Sequence, residues 1–187
     1  MKELTYKTIM LVAIVTAARV DTLYKMSSNY KKKNDEIVFG LCCPLKHNKP
    51  GNNAKPIRLQ SYPPDRELCV VTYLDEYLER TKNWRTENNK RLFVCTKLPH
   101  GDASKATLAR WIKETLSCAG IDVASYKAHS VRPASVSKAV NKSFPVSDIL
   151  KTGGWTKEST FRTYYCKEFS KPTFQDVVLK HCMSNMN

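Results

Sequence analysis

The sequence predicts an α+β domain, mainly helical, with one small antiparallel sheet. Three observations lead there. Apolar residues recur at helical spacing through most of the chain. One stretch, Glu36 to Tyr62, instead carries two strand-like runs around a loop rich in Lys, Asn, Gly and Pro. Helix-stopping residues, above all Gly153-Gly154 and the Pro63-Pro64 pair, divide the remainder into short helices. At 187 residues, 42 % of them hydrophobic, the chain can bury one ordinary core and is not a disordered tail.

Taken in order, residues 4 to 17 read as a helix with Leu4, Ile9, Leu11, Val12, Ile14 and Val15. A short helix follows Arg19, carrying Val20, Leu23 and Met26. The charged cluster Lys31 to Asp35 reads as a turn. Glu36 to Cys42 is the best strand, Pro44 to Ala54 a hairpin loop, and Ile57, Leu59 and Tyr62 the returning strand. A helix is expected from Asp65 to about Lys82, with Leu68, Val71, Leu74, Tyr77 and Leu78 at helical spacing. Arg91 to Thr96 is a further strand candidate. Ser104 caps a helix that presents Leu108, Trp111, Ile112 and Leu116, and Gly120 ends it. His129 to Asn141 is a helix with Pro133 in its first turn, Pro145 to Thr152 a short one, and Glu158 to about Phe169 the next. Beyond Pro172, Phe174 to Cys182 is a last amphipathic segment, with Phe174, Val177, Val178 and His181 on one face. The domain is read as residues 1–170, followed by a C-terminal tail at 171–187.

Thirty-one Lys and Arg stand against 17 Asp and Glu, a formal net charge of +14. Such an excess fits a polyanionic partner, nucleic acid before an anionic membrane surface. The lysines are spread along the chain rather than gathered on one amphipathic helix, which argues against a membrane-surface role. The apolar run Ile9 to Val15 is too short to span a bilayer. The seven cysteines are scattered and form no C-x-x-C pair, so neither a disulfide framework nor a zinc site is expected.

The chemistry concentrates around Ala128-His129-Ser130-Val131-Arg132. Histidine moves protons near neutral pH, and arginine offers phosphate a planar fork of donors. His-x-x-Arg alone is common, and a helix start with a satisfied histidine is the plainer reading of it. The context is more specific. Upstream, Thr16-Ala17-Ala18-Arg19-Val20 puts an arginine directly after an apolar helix, and a basic hairpin runs through Pro44-Leu45-Lys46-His47-Asn48-Lys49. Downstream come Gly153-Gly154-Trp155 and Thr160-Phe161-Arg162-Thr163-Tyr164-Tyr165.

In this order the chain resembles the catalytic domain of the tyrosine recombinase, or phage integrase, family. The wording is most similar to the eukaryotic DIRS-like and Crypton-like mobile-element members. The stretches that carry the resemblance are T-A-x-R-V-x-T-L, A-H-S-V-R-x-A-S-x-S-K and D-I-L-K-x-G-G-W-x-x-E-S-T-F, within residues 8 to 170. It implies a DNA strand-transfer enzyme that works without ATP or a metal, on duplex DNA, as a homo-oligomer in the nucleus. Arg19 and Arg132 would hold the scissile phosphate. Lys46, with Lys49 and Lys55 as rivals, would protonate the leaving oxygen. His129 would assist proton transfer, and Trp155 would take the family's His-or-Trp position. The nucleophile would be Tyr165, as in the mobile-element pattern, or Tyr164, nine residues after Trp155 as in many other members. Thr22 stands where many members carry an acidic residue, and Pro133 where the mobile-element sequences have a small polar one. The N-terminal core-binding domain usual in the family is expected to be absent, which keeps a non-catalytic DNA-binding module or a truncated relict open beside the enzyme.

Overall fold

The computed structural model describes residues 1–44 and 55–155, with 158, 159 and 161. Its elements are α1 (Lys2–Thr16), α2 (Val20–Lys25), β1 (Met26–Lys33), β2 (Glu36–Leu41), β3 (Ile57–Gln60), α3 (Val70–Thr81), α4 (Lys105–Cys118), α5 (Val131–Asn141) and α6 (Val146–Gly153). The strands form one antiparallel sheet in the order β1-β2-β3.

Helix α1 is the centre of the domain and packs on α3, α4 and α5. Being covered on several sides explains its nearly unbroken apolar run. Three threonines are buried within it, Thr5, Thr8 and Thr16. Each hydroxyl donates to the carbonyl four residues back, on Met1 (3.0 Å), Leu4 (2.7 Å) and Val12 (2.6 Å). No polar group is thereby buried without a partner in these side chains. The main core joins α1 to Leu23, Met26, Ile37, Phe39, Leu74, Tyr77, Leu108 and Trp111, among others. A second cluster gathers Ala17, Val136, Ile149 and Phe161, with Trp155 against it.

Three expectations need correction. Lys31 to Lys33 are not a turn but the outer end of β1, paired with Val38, Ile37 and Glu36, and the turn is Asn34-Asp35. This end of β1 is solvent-exposed and has no apolar face to read. Lysines on an edge strand also discourage pairing with another chain. Arg91 to Thr96 is not a strand. It makes only isolated bridges, Ser27 with Arg91 and Val94 with Asp102. Side chains take up the rest of its backbone: Arg85 donates to the carbonyls of Arg91 and Leu92, and the Val94 N–H donates to the Tyr77 hydroxyl. The helix expected from Asp65 begins later. Asp65 caps a 3-10 turn at Arg66–Leu68, and α3 starts only after the extended Cys69.

The other elements match in kind, though Met26, read as part of the helix after Arg19, opens β1, and Tyr62 lies beyond the end of β3. Ser104 caps α4 by accepting the Thr107 N–H at 3.1 Å. Pro133 lies in the first turn of α5, and Gly154, at φ 68°, ends α6. Glu158, Ser159 and Phe161 are helical, in line with a helix from Glu158. The loop tip at 45–54 and the tail at 171–187 lie outside the described residues. Among the described residues no helix is long and apolar enough to cross a membrane.

Candidate active site

The site begins where α1 ends. Ala17 closes the helix in the left-handed conformation, φ 47° and ψ 32°, a geometry usually left to glycine. This costs a non-glycine residue about 1 kcal/mol or more. It turns the chain sharply, so that Arg19 becomes the extended residue capping α2 and stands exposed. It also aims the Ala17 carbonyl at α5, where Nη1 of Arg132 donates to it.

Arg132 is 4 % exposed. Its Nη2 donates to the Gly153 carbonyl at 2.9 Å. The Trp155 ring lies against the guanidinium, 3.6 Å from Cζ to the ring centroid. One fork therefore ties together the end of α1, the start of α5 and the end of α6. Fixing both Nη atoms and stacking one face sets the plane of the fork, which arginine needs for directional binding of a phosphate.

The glycine pair makes the stack possible. A Cβ on Gly153 would fall 1.8 Å from Cζ3 of Trp155, so only glycine leaves room for the indole. Gly154 supplies the positive φ that reverses the chain and returns Trp155 toward Arg132. Behind the indole, Phe161 meets it edge-on at 5.2 Å and is fully buried.

His129 is exposed, in the 3-10 turn Ala128–Ser130 that leads into α5. Sequence spacing put His129 and Arg132 on one helical turn. The structure gives them different elements and opposite exposure. Lys46, Lys49, Tyr164 and Tyr165 lie outside the described residues, and Lys55 is exposed. Of the expected set, then, the Arg19 segment, Arg132 and Trp155 converge, and His129 stands at the mouth of the same helix.

Two residues of this neighbourhood escaped the sequence reading. Lys25, in α2, is 9 % exposed. Its Nζ donates to the Pro44 carbonyl at 2.7 Å and pairs with Asp21 at 3.0 Å. Asp21 also pairs with Lys105 at the start of α4. Burial works to raise the Asp21 carboxyl, but hydrogen bonds from Lys105 and Lys25 outweigh it and hold the group below its ordinary value. The four-residue spacing of Asp21 and Lys25 was a usable signal for their pairing. The Pro44 contact is tertiary and had none.

No protein-family model and no curated protein matches this sequence. Solved structures do. The XerH site-specific recombinase bound to difH substrate in a pre-cleavage complex matches at a TM-score of 0.67 and 15 % identity, over 98 % of this chain and 48 % of that one. Its post-cleavage complex on palindromic difH matches at 0.67 and 15 % identity, over 92 % and 44 %. The XerA recombinase matches at 0.63 and 17 % identity, over 95 % and 62 %. At such identities the likeness is one of fold. The mainly helical α+β architecture with its small antiparallel sheet is the fold of tyrosine recombinases, as the sequence predicts. The chain spans about half the length of XerH.

Proposed function

We propose that this chain is the catalytic domain of a tyrosine recombinase, which cleaves and rejoins duplex DNA through a 3′-phosphotyrosyl intermediate. The observation that carries the reading is the placement of Arg132. Three stretches singled out in the sequence, around Arg19, Arg132 and Trp155, meet at one guanidinium although more than a hundred residues separate the first from the others. The shared fold with recombinases solved on DNA and the +14 charge support the same reading.

In this mechanism Arg19 and Arg132 bind the non-bridging oxygens of the scissile phosphate, where charge develops in the transition state. The hydroxyl oxygen of Tyr165, or of Tyr164, attacks phosphorus as the bond to the 5′ oxygen breaks. His129 takes the tyrosine proton and Lys46 supplies one to the leaving oxygen. Rejoining reverses each step, so the bond energy is kept in the covalent link. Trp155 holds the plane of Arg132. The wording of the motifs places the protein nearest the DIRS-like and Crypton-like mobile-element recombinases, working as a homo-oligomer on DNA in the nucleus.

The test is covalent trapping on nicked suicide duplexes drawn from a random-sequence pool, with wild type beside Tyr164→Phe and Tyr165→Phe. A denaturant-resistant adduct lost in one variant alone supports the enzyme and names its nucleophile. Salt-sensitive DNA binding without any adduct would turn the reading to a DNA-binding module.

A further inference from the structure

We propose that the adjacent thiols Cys42 and Cys43 are a redox modification site, which a small-molecule disulfide converts reversibly into a vicinal disulfide and which, once oxidised, loosens the tie between α2 and the end of β2. The site is independent of the recombinase reading.

The pair follows directly on Leu41, the last residue of β2. Both are free thiols, and their Sγ atoms lie 3.9 Å apart, close enough for a sulfur hydrogen bond. Cys42 is exposed and Cys43 half-buried, so a small oxidant can reach them. Partial desolvation, then the hydrogen bond with Cys43, pushes the Cys42 thiol above its ordinary value. Touching sulfurs resist carrying two negative charges, so one ionises while the other keeps its proton. Thiol–disulfide exchange uses that arrangement. One thiolate attacks a sulfur of the incoming disulfide, and the first small thiol leaves. The neighbour gives up its proton and attacks the protein sulfur of the mixed disulfide, and the second small thiol leaves. Two cysteine thiols are oxidised, one small disulfide is reduced to two thiols, and the two protons pass to them.

Adjacency makes the product reversible. Consecutive Cα atoms are about 3.8 Å apart across a trans peptide, whereas an unstrained disulfide prefers roughly 4.4–6.8 Å. The ring therefore closes only if the main chain at 42–43 turns, and a disulfide closed under strain is readily reduced. This main chain is held on both sides. The Cys42 N–H donates to the Lys25 carbonyl at 2.9 Å, and Lys25 Nζ donates to the Pro44 carbonyl at 2.7 Å. One residue of α2 thus grips the chain before and after the Cys43 side chain. Lys25 is itself anchored, buried and paired with Asp21 at 3.0 Å, so it does not follow the chain outward. Both bonds fit the dithiol, and closing the ring pulls against them.

The experiment has two arms. In the first, the reduced full chain is equilibrated with excess oxidised glutathione, remaining thiols are alkylated, and the peptide holding both cysteines is weighed. It is expected to escape alkylation at both positions and to lack the two thiol hydrogens, and dithiothreitol is expected to restore them. Cys42→Ser and Cys43→Ser should each keep glutathione on the remaining cysteine, since no neighbour is left to expel it. Alkylation at both positions of the wild type, glutathione retained on either, or a bond from either to a third cysteine overturns the site. In the second arm, amide exchange at residue 42 is followed by NMR. Oxidation is expected to speed it by about tenfold or more, reversed by dithiothreitol, and to leave it unchanged in the chain carrying both Cys42→Ser and Cys43→Ser. An oxidised pair with unchanged exchange overturns the loosening. Acceleration that persists in the double variant belongs to another cysteine and overturns it as well.

Discussion

The indole of Trp155 lies against the guanidinium of Arg132 at 3.6 Å, while that guanidinium donates to carbonyls on two other segments, at Ala17 and Gly153. The arginine is thus a structural joint and a candidate phosphate ligand in one side chain. Replacing it separates the two roles. Arg132→Ala leaves two carbonyls without their donor and is expected to destabilise the fold by about 2–4 kcal/mol, read from urea midpoints. Arg132→Lys can serve only as a point charge. It should lose less stability, about 1–2 kcal/mol, yet form at least tenfold less covalent adduct. Equal loss of stability in both variants would show that the fork alone, with nothing from the charge, holds the joint.

Gly153 tests how tightly the indole is seated. Alanine there would bring its Cβ to 1.8 Å from Trp155 Cζ3, so the ring must leave Arg132. Gly153→Ala is expected to destabilise by about 1–3 kcal/mol and to shift the tryptophan emission to the red. Trp111 and Trp84 contribute to the signal, so the shift is taken as the difference from the same change made in Trp155→Phe. An unchanged spectrum would mean that the stack is not as close as the structure has it.

What the sequence revealed and what it hid follow from physical causes. Helices with one apolar stripe, such as α3 and α4, could be read from spacing, and Ser104 and Gly154 marked ends because capping chemistry is local. The outer end of β1 was hidden because an exposed edge strand presents no apolar face there. The segment 91–96 misled because it is as apolar as a strand, yet its main chain forms only isolated bridges, and side chains such as Arg85 and Tyr77 take up other groups of its backbone. The site divides the same way. Arg19, Arg132 and Trp155 were legible as ordered motifs. The bonds from Arg132 to Ala17 and from Lys25 to Pro44 join residues far apart in sequence, and no local rule encodes them.

Ala17 carries strain that the site uses. Its left-handed conformation aims its carbonyl at Arg132, and any side chain there resists it. Glycine would relieve the strain but gain freedom in the unfolded chain, and the two effects nearly cancel. Ala17→Gly is therefore expected to shift the unfolding temperature by only a few degrees in either direction. Ala17→Val adds a branched Cβ at positive φ inside the second core cluster and should cost about 2 kcal/mol or more. If valine were tolerated as well as glycine, the turn would not be under strain.

Cys69 makes stability depend on pH. It heads α3 beyond the extended break and is buried. Burial alone would raise its thiol, but hydrogen bonds from Ser61 and Thr72 and the Tyr62 N–H at 3.3 Å favour the thiolate and bring it down to about 6. A group depressed in the folded state binds its proton more readily when unfolded. Its contribution is complete above the unfolded thiol's value, near 9, and is lost as pH falls through about 6. Stability in urea is thus expected to rise by about 2 kcal/mol from pH 6.5 to 8.5. Cys69→Ser cannot ionise in that window, so the rise should vanish in it while the same hydrogen bonds keep a partner. A slope that survives the substitution would assign the dependence to another group and leave Cys69 a neutral thiol.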